Sequence, residues 1–160
     1  MTARSDWRTI VAASLEWDQA HAPFTKAVEG LAPNLRGRRP EGFPHSAWEL
    51  VEHIRIAQRD LLDFMTADCY EEPHWPGDYW PPTPAPPSDA AWRDSIAAVQ
   101  RDAAAIARFT TETPLDLSAR IPRGTGQTYL RTILVAMDHA AYHVGQIVAV
   151  RRLLTAWPAA

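Results

Sequence analysis

The chain has 160 residues, with 16 Lys and Arg against 19 Asp and Glu, so its formal net charge is −3 at pH 7. This length predicts a single domain over residues 1–160, with a core large enough to fold without disulfides. A pI near 6.0 argues against a dedicated nucleic-acid binder. The one cysteine, Cys69, excludes an intrachain disulfide and a Cys-rich zinc site.

We expect no secretory signal at the N-terminus, because charged residues such as Arg4, Asp6 and Arg8 interrupt the apolar segment that a signal peptide needs. No apolar stretch is expected to approach the roughly 20 residues that cross a bilayer. We therefore expect a cytoplasmic chain that binds neither membranes nor nucleic acid.

The first predicted helix covers about residues 6–29 and ends at Gly30, a residue that favours helix C-termini. Pro33 and Pro40 predict that the next segment is not helical. The residues at helical spacing that would face the core are Ile10, Ser14, Trp17, His21, Phe24 and Val28.

The second predicted helix begins at Ser46, which forms a capping box with Glu49, and ends near Ala67. Its apolar stripe consists of Leu50, Val51, Ile54, Ala57, Leu61 and Met65. Residues 72–88 then read EPHWPGDYWPPTPAPPS, a proline density that excludes a helix or a central strand. Its aromatic residues predict that this long segment packs onto the body of the protein, and its length allows the helices it joins to run parallel.

The third predicted helix starts after Ser88 or Asp89 and ends before Pro114, and the fourth runs from about Thr125 or Gln127 to Leu154. The fourth helix has only a narrow polar strip, formed by Arg131, Asp138, Tyr142 and Arg152. A helix that is apolar over so much of its circumference is surrounded by other helices. The sequence therefore predicts an all-α four-helix bundle with a Pro- and Trp-rich crossover between helices 2 and 3.

Two of the histidines are spaced for metal binding. His139 and His143 lie four residues apart on one face of the fourth helix, a spacing that suits a single ion with metal–nitrogen bonds of about 2.0–2.1 Å. Both fall in the apolar arc, where an unpaired polar group costs about 1–3 kcal/mol, and a cation would take both as neutral ligands. His53, on the second helix, is the best-placed third ligand.

The alternative interpretation is that these histidines are structural, each hydrogen-bonded within the bundle. His21 is predicted either as an ordinary core residue or as a ligand or hydrogen-bond donor at the same site. His45 and His74 are predicted to be hydrogen-bonded or surface residues.

Three passages resemble the DinB/YfiT-like superfamily of bacterial four-helix bundles: HSAWELVEHIRIAQRDLLDFM (45–65), WPGDYWP (75–81) and DHAAYHVGQIVAVRRLL (138–154). The resemblance implies a divalent ion, zinc, nickel or iron, bound by His53, His139 and His143. It also implies a homodimer. Some relatives are S-transferases or isomerases that use a low-molecular-weight thiol, and others are described as metal-dependent hydrolases.

Three neutral imidazoles leave an open position on an ion, which is typical of catalytic rather than structural sites. The chain is therefore interpreted as a metal-dependent hydrolase, or as an S-transferase using a small thiol, acting on a small-molecule substrate. The alternative is a non-catalytic bundle that binds a ligand or partner. No catalytic residue is identified.

Several neighbours of the predicted site could support it. Gln146 and Asp60 are candidates to orient the ligand rings. Aromatic residues that could form the wall of an apolar mouth over the metal are Trp17, Trp75, Tyr79 and Trp80. Alternatively, the loop aromatics fill a core gap or a dimer interface.

Overall fold

The computed structural model describes residues 3–16 and 20–158. Within these residues the chain forms helices and no β-strand, which confirms the predicted all-α class. The helices are α1 (Ala3–Ala13), α2 (Phe24–Val28), α3 (Pro33–Arg36), α4 (Ala47–Thr66), α5 (Asp89–Glu112) and α6 (Tyr129–Leu153), with 3₁₀ turns at Ser14–Glu16 and Gly77–Tyr79.

The start of α4 is the predicted capping box. The Ser46 side chain accepts from the Glu49 backbone N–H, and the Glu49 carboxylate accepts from the Ser46 backbone N–H. The start of α5 is capped by Ser88, as predicted. By contrast, α6 begins later than predicted, because Thr128 is extended and caps the helix, its side chain accepting from the Arg131 backbone N–H.

The prediction of one continuous helix over residues 6–29 is wrong. α1 ends at Ala13 and α2 begins at Phe24, directly after Pro23. Proline lacks an N–H donor and disfavours helical geometry at the residue before it, so a helix cannot run through this position. The predicted core face is right at Val28, which is buried, and at Phe24, which packs against the core, but it is wrong at Ile10, which is 56% exposed, and at His21, which is exposed. In the first part of this segment, the side chains that pack against the core are Trp7, Val11 and Leu15.

The segment after Gly30 contains a single helical turn, α3, where no helix was expected. Pro33 occupies the first position of α3. Proline is tolerated there because the N–H it lacks would have no partner inside the helix.

Helices α4 and α5 run parallel, as the long connection between them allows. Near their N-terminal ends the rings of Trp48 and Trp92 lie 6.4 Å apart. Further along both helices, the Gln58 amide donates to the carbonyl of Val99 at 2.7 Å. Contacts that advance in the same direction on both helices require a parallel pair.

Helix α6 runs antiparallel to α4, and α1 packs on α5, which completes a four-helix bundle. The first half of α6 packs beside Leu62 and Met65, and its second half beside Leu50 and Val51. The residues of α6 buried in these clusters are Tyr129, Ile133, Ala136, Val144, Ile147 and Val150.

Helix α6 is also long and apolar enough to cross a membrane by length and composition, with a mean hydropathy of 1.3 and 33% of the apolar window buried. The expectation that no apolar stretch approaches this length is wrong for α6, because one charged residue, Asp138, does not prevent its apolar window from meeting the criterion. Meeting the criterion is weak evidence for a membrane span, because the core helix of a globular bundle meets it as well.

Candidate metal centre

The histidines on α4 and α6 converge on one point in the bundle. The ligand nitrogens of His53, His139 and His143 lie within 4.8 Å of one another. The Nε2 atoms of His53 and His139 are 3.0 Å apart. Adjacent ligands on one ion, with bonds of about 2.0–2.1 Å at tetrahedral or octahedral angles, are separated by about 2.9–3.4 Å. The structure therefore brings the three predicted residues together at a spacing that could hold a metal ion.

The helix geometry explains this convergence. His139 and His143 are one turn apart in the middle of α6, so their rings face the same side, with centroids 4.5 Å apart. His53 lies near the start of α4, which packs against that side of α6, and its ring centroid is 4.5 Å from that of His143.

His53 is held by a backbone carbonyl. Its Nδ1 lies 2.8 Å from the carbonyl oxygen of Tyr79. A carbonyl oxygen can only accept a hydrogen bond, so Nδ1 carries the proton and Nε2 presents its lone pair to the other histidines. The ring is only 3% exposed, and it stacks on the indole of Trp80 at a centroid distance of 4.0 Å and an interplanar angle of 1°.

His143 is oriented in a similar way by a side chain. Its Nδ1 donates to Oε1 of Gln146 at 2.7 Å, and its ring is 7% exposed. The Nε2 atom is again left free to face the cluster. Gln146 thus lies where the sequence analysis places an orienting residue, and its function there stays a prediction.

The three imidazoles are uncharged at neutral pH. Burial, followed by the proximity of His143 and His53, lowers the pKa of His139 to about 4. Burial also lowers the pKa of His143 to about 4, and it lowers the pKa of His53. Removing a cation from water is costly, so the buried rings remain neutral and keep the lone pairs that a metal ion requires.

Asp60 does not contact His53, which corrects the expectation that it would fix that ring directly. Asp60 is seven residues further along α4, a distance of about 10.5 Å at 1.5 Å per residue. Its carboxylate instead accepts from the hydroxyls of Tyr70 and Tyr79, each at 2.7 Å. Burial, followed by these bonds to Asp60, raises the pKa of both tyrosines.

His21 lies away from the cluster, so neither of its predicted roles is correct. It is exposed, and its Nδ1 bonds to the carbonyl of the adjacent Ala22 at 2.9 Å. It lines a cavity of about 440 Å³ beside another face of α6, which includes Ala140 and Val144. The prediction placed His21 on the core face of a continuous helix, but α1 ends at Ala13, well before this residue.

Of the aromatic residues predicted to form a wall over the metal, Trp80 contacts a ligand histidine and Trp75 is largely exposed. Trp80 is half-buried and stacks on His53. Trp75 is 74% exposed, and its ring packs against the ring of Tyr79. Trp17 lies outside the described residues.

Sequence reasoning missed the contribution of His45. Its ring stacks on the second face of Trp80, at 4.1 Å and 11°, so that Trp80 is sandwiched between His45 and His53. His45 precedes α4 and has no helical spacing to the other histidines. The aromatic density of residues 74–80 is the only signal in the sequence that could have led to it.

A comparison with protein families matches the model described as the DinB superfamily to residues 16–147. This range contains the three converging histidines and the whole connection between α4 and α5. No protein of curated function and no solved structure matches the chain.

Proposed function

The chain belongs to the DinB superfamily, and we propose that it binds one divalent metal ion through His53, His139 and His143. The observation that carries the proposal is the orientation of the rings. His53 and His143 each donate Nδ1–H to an outward acceptor, so their Nε2 atoms turn toward the third ring. This arrangement of a ligand and its outer hydrogen bond is typical of metal-binding histidines.

The donor set fits a metal ion. Two neutral nitrogens 3.0 Å apart, here in His53 and His139, must either share a proton or face a common cation. A divalent ion would accept all three lone pairs without charging any ring. Imidazole nitrogen suits zinc, nickel and iron, which are the ions we propose.

We propose further that the protein is an enzyme that joins a small thiol to an electrophilic small molecule: the thiol loses its proton, its sulfur forms a bond to the electrophilic carbon, and the leaving group on that carbon departs with its bonding electrons. A divalent ion at this site would supply Lewis acidity, which favours a thiolate at neutral pH. Zinc proteases of the HExxH type use a glutamate beside the ion as the general base for hydrolysis. In the described part of the chain the groups that contact the three rings are histidines, aromatic rings, an amide and a carbonyl, with no carboxylate. The lack of a carboxylate among these contacts favours thiol transfer over hydrolysis of that type.

The approach to the site lies beside His139 and Tyr142. His139 is only half-buried. The ring of Tyr142 is 4.9 Å from that of His143, and the residue is 64% exposed. With Trp80 on the other side, a small substrate would meet aromatic surfaces next to the ligand nitrogens.

The test compares metal-loaded protein, chelator-treated protein and His139→Ala, each with a panel of small thiols plus an activated electrophile and with a panel of activated esters. We expect thiol consumption only in the metal-loaded protein. If only the esters were consumed, the protein would be a hydrolase and the proposal of thiol transfer would be wrong. Equal background rates in all three samples, across both panels, would overturn the enzymatic proposal and favour a binding protein.

We also propose that the chain forms a homodimer through α6. Three large side chains are exposed within about 100° on its surface, Leu134 (39%), Tyr142 (64%) and Leu153 (59%), and they share this face with the charged residues Arg131, Asp138 and Arg152. Light scattering during gel filtration should give twice the chain mass of 17.9 kDa. A monomer mass would contradict this part of the proposal.

A further inference from the structure

We propose that Asp60, Tyr79 and Trp80 are positioning residues for the metal centre. The Tyr79 carbonyl and the Trp80 indole fix the tautomer and the plane of His53, and Asp60 holds Tyr79 in place. This inference rests on the proposed function, because the ring that is positioned is one of the proposed ligands.

Tyr79 spans two turns of α4. Its carbonyl oxygen accepts from His53 Nδ1 at 2.8 Å, while its hydroxyl donates to Asp60 at 2.7 Å. The two contacted residues are separated by about 10.5 Å along the helix, which a tyrosine covers between its main chain and its hydroxyl. Tyr79 is 9% exposed, so these bonds are largely shielded from water. A displacement of the Tyr79 ring would therefore move the carbonyl that holds His53.

Trp80 determines the plane of the His53 ring. The two rings are parallel within 1° at 4.0 Å, and His45 covers the opposite indole face at 4.1 Å. Rotation of His53 about its Cβ–Cγ bond would break this stack and the hydrogen bond to Tyr79 together. Orienting contacts of this kind around metal ligands contribute about 10–100-fold to metal affinity.

The chain provides a matched control in Tyr70. Its hydroxyl donates to the same Asp60 carboxylate at the same distance, 2.7 Å. Its ring packs against Phe64 at 5.3 Å, and its backbone carbonyl is not the acceptor for His53. Removing either hydroxyl costs one buried hydrogen bond to Asp60, but only Tyr79 connects that bond to the proposed ligand.

The experiment measures zinc affinity by competition with a chromophoric chelator for wild type, Tyr79→Phe, Tyr70→Phe and Asp60→Ala. We expect Tyr79→Phe and Asp60→Ala to bind zinc about 10-fold more weakly, and Tyr70→Phe to stay within about 2-fold of wild type. Thermal unfolding of the metal-free variants should show similar losses of stability for Tyr79→Phe and Tyr70→Phe. Equal zinc affinities for these two variants would overturn the inference.

A second pair of variants tests the stack. Trp80→Ala should weaken zinc binding about 10-fold, whereas Trp80→Phe, which keeps an aromatic face on His53, should recover most of the loss. Trp157→Ala, which removes a half-buried tryptophan whose ring lies over Arg151 and Arg152, is the control and should bind as wild type does. Failure of Trp80→Phe to recover any affinity, with its fold intact by circular dichroism, would contradict a stacking role.

A readout without metal separates this inference from the proposed function. In metal-free wild type, the Nδ1 proton of His53 should give a slowly exchanging NMR signal, because the Tyr79 carbonyl accepts it. Tyr79→Phe should broaden or lose this signal, and Tyr70→Phe should keep it. If wild type binds no metal, the proposed function fails. If both variants keep the signal, the positioning inference fails, whatever the metal result.

Discussion

The three clustered histidines and the loop histidine His74 differ in their surroundings. His53, His139 and His143 are on packed helices, close to one another and mostly shielded from water. His74 is in the loop before α5, its side chain is 97% exposed, and its ring nitrogen lies 3.4 Å from the Asp78 carboxylate. The same side chain is thus a candidate ligand in one place and a solvated surface group in the other. Burial makes the difference, and for His53 and His143 an outward partner for Nδ1 adds to it.

The largest expected effect comes from removing one of the three clustered histidines. His139→Ala should abolish stoichiometric metal binding, a loss of at least about 100-fold in affinity, because only two protein ligands would remain. The measurements are metal content after purification without chelator and zinc affinity by competition. His74→Ala is the matched control and should retain one ion per chain. Stoichiometric metal in the His139 variant would show that the ligands are assigned wrongly.

The next prediction tests whether core packing next to His53 can be weakened without loss of metal binding. Ile54 follows His53 on α4 and is fully buried in the apolar core. Ile54→Ala should lower the free energy of unfolding by about 2–5 kcal/mol, since it removes a packed side chain and leaves a cavity. Zinc stoichiometry should nevertheless remain one per chain at temperatures where the variant is folded. Loss of zinc from the folded Ile54 variant would mean that this part of the core and the site are not independent.

The smallest expected effect concerns pH. Imidazoles with an ordinary pKa of about 6.5 would each be only about one-quarter neutral at pH 6, so a site of three would weaken by roughly 50-fold between pH 8 and pH 6. Because burial lowers the pKa of His139 and of His143 to about 4, we expect a change of less than about 5-fold over that range. Zinc affinity measured at both pH values distinguishes the two behaviours.

The same lowered pKa values determine how the stability of the metal-free protein depends on pH. Between pH 6.5 and pH 4 the unfolded chain takes up protons on these histidines that the folded protein does not accept. The free energy of unfolding should therefore fall as pH decreases through this window. Above pH 6.5 these rings should not make the free energy of unfolding depend on pH. His139→Ala should flatten this part of the profile, and an unchanged slope would contradict the pKa assignment.

Much of the bundle can be predicted from the sequence, because the signals are local. Ser46 and Glu49 specify the start of α4, and Ser88 specifies that of α5. The two histidines four residues apart on α6 must share a face in any helix. His53 was predicted from its place on α4, and the structure places it beside them.

Other features depend on backbone geometry that no residue type marks. The group that fixes His53 is the main-chain carbonyl of Tyr79, and its position follows from the path of the whole crossover loop. Asp60 was singled out because its spacing puts it on the same helix face as His53, but its partners are two tyrosines of that loop. The error in the first helix has a different cause, since Pro23 was a local signal that outweighs the apolar spacing around it.

The most direct test of the metal centre is a zinc titration of metal-free protein followed by NMR of the imidazole nitrogens. The account predicts that one equivalent of zinc shifts the Nε2 resonances of His53, His139 and His143 and leaves those of His21 and His74 unchanged. Absence of binding, or shifts confined to the other histidines, would contradict it.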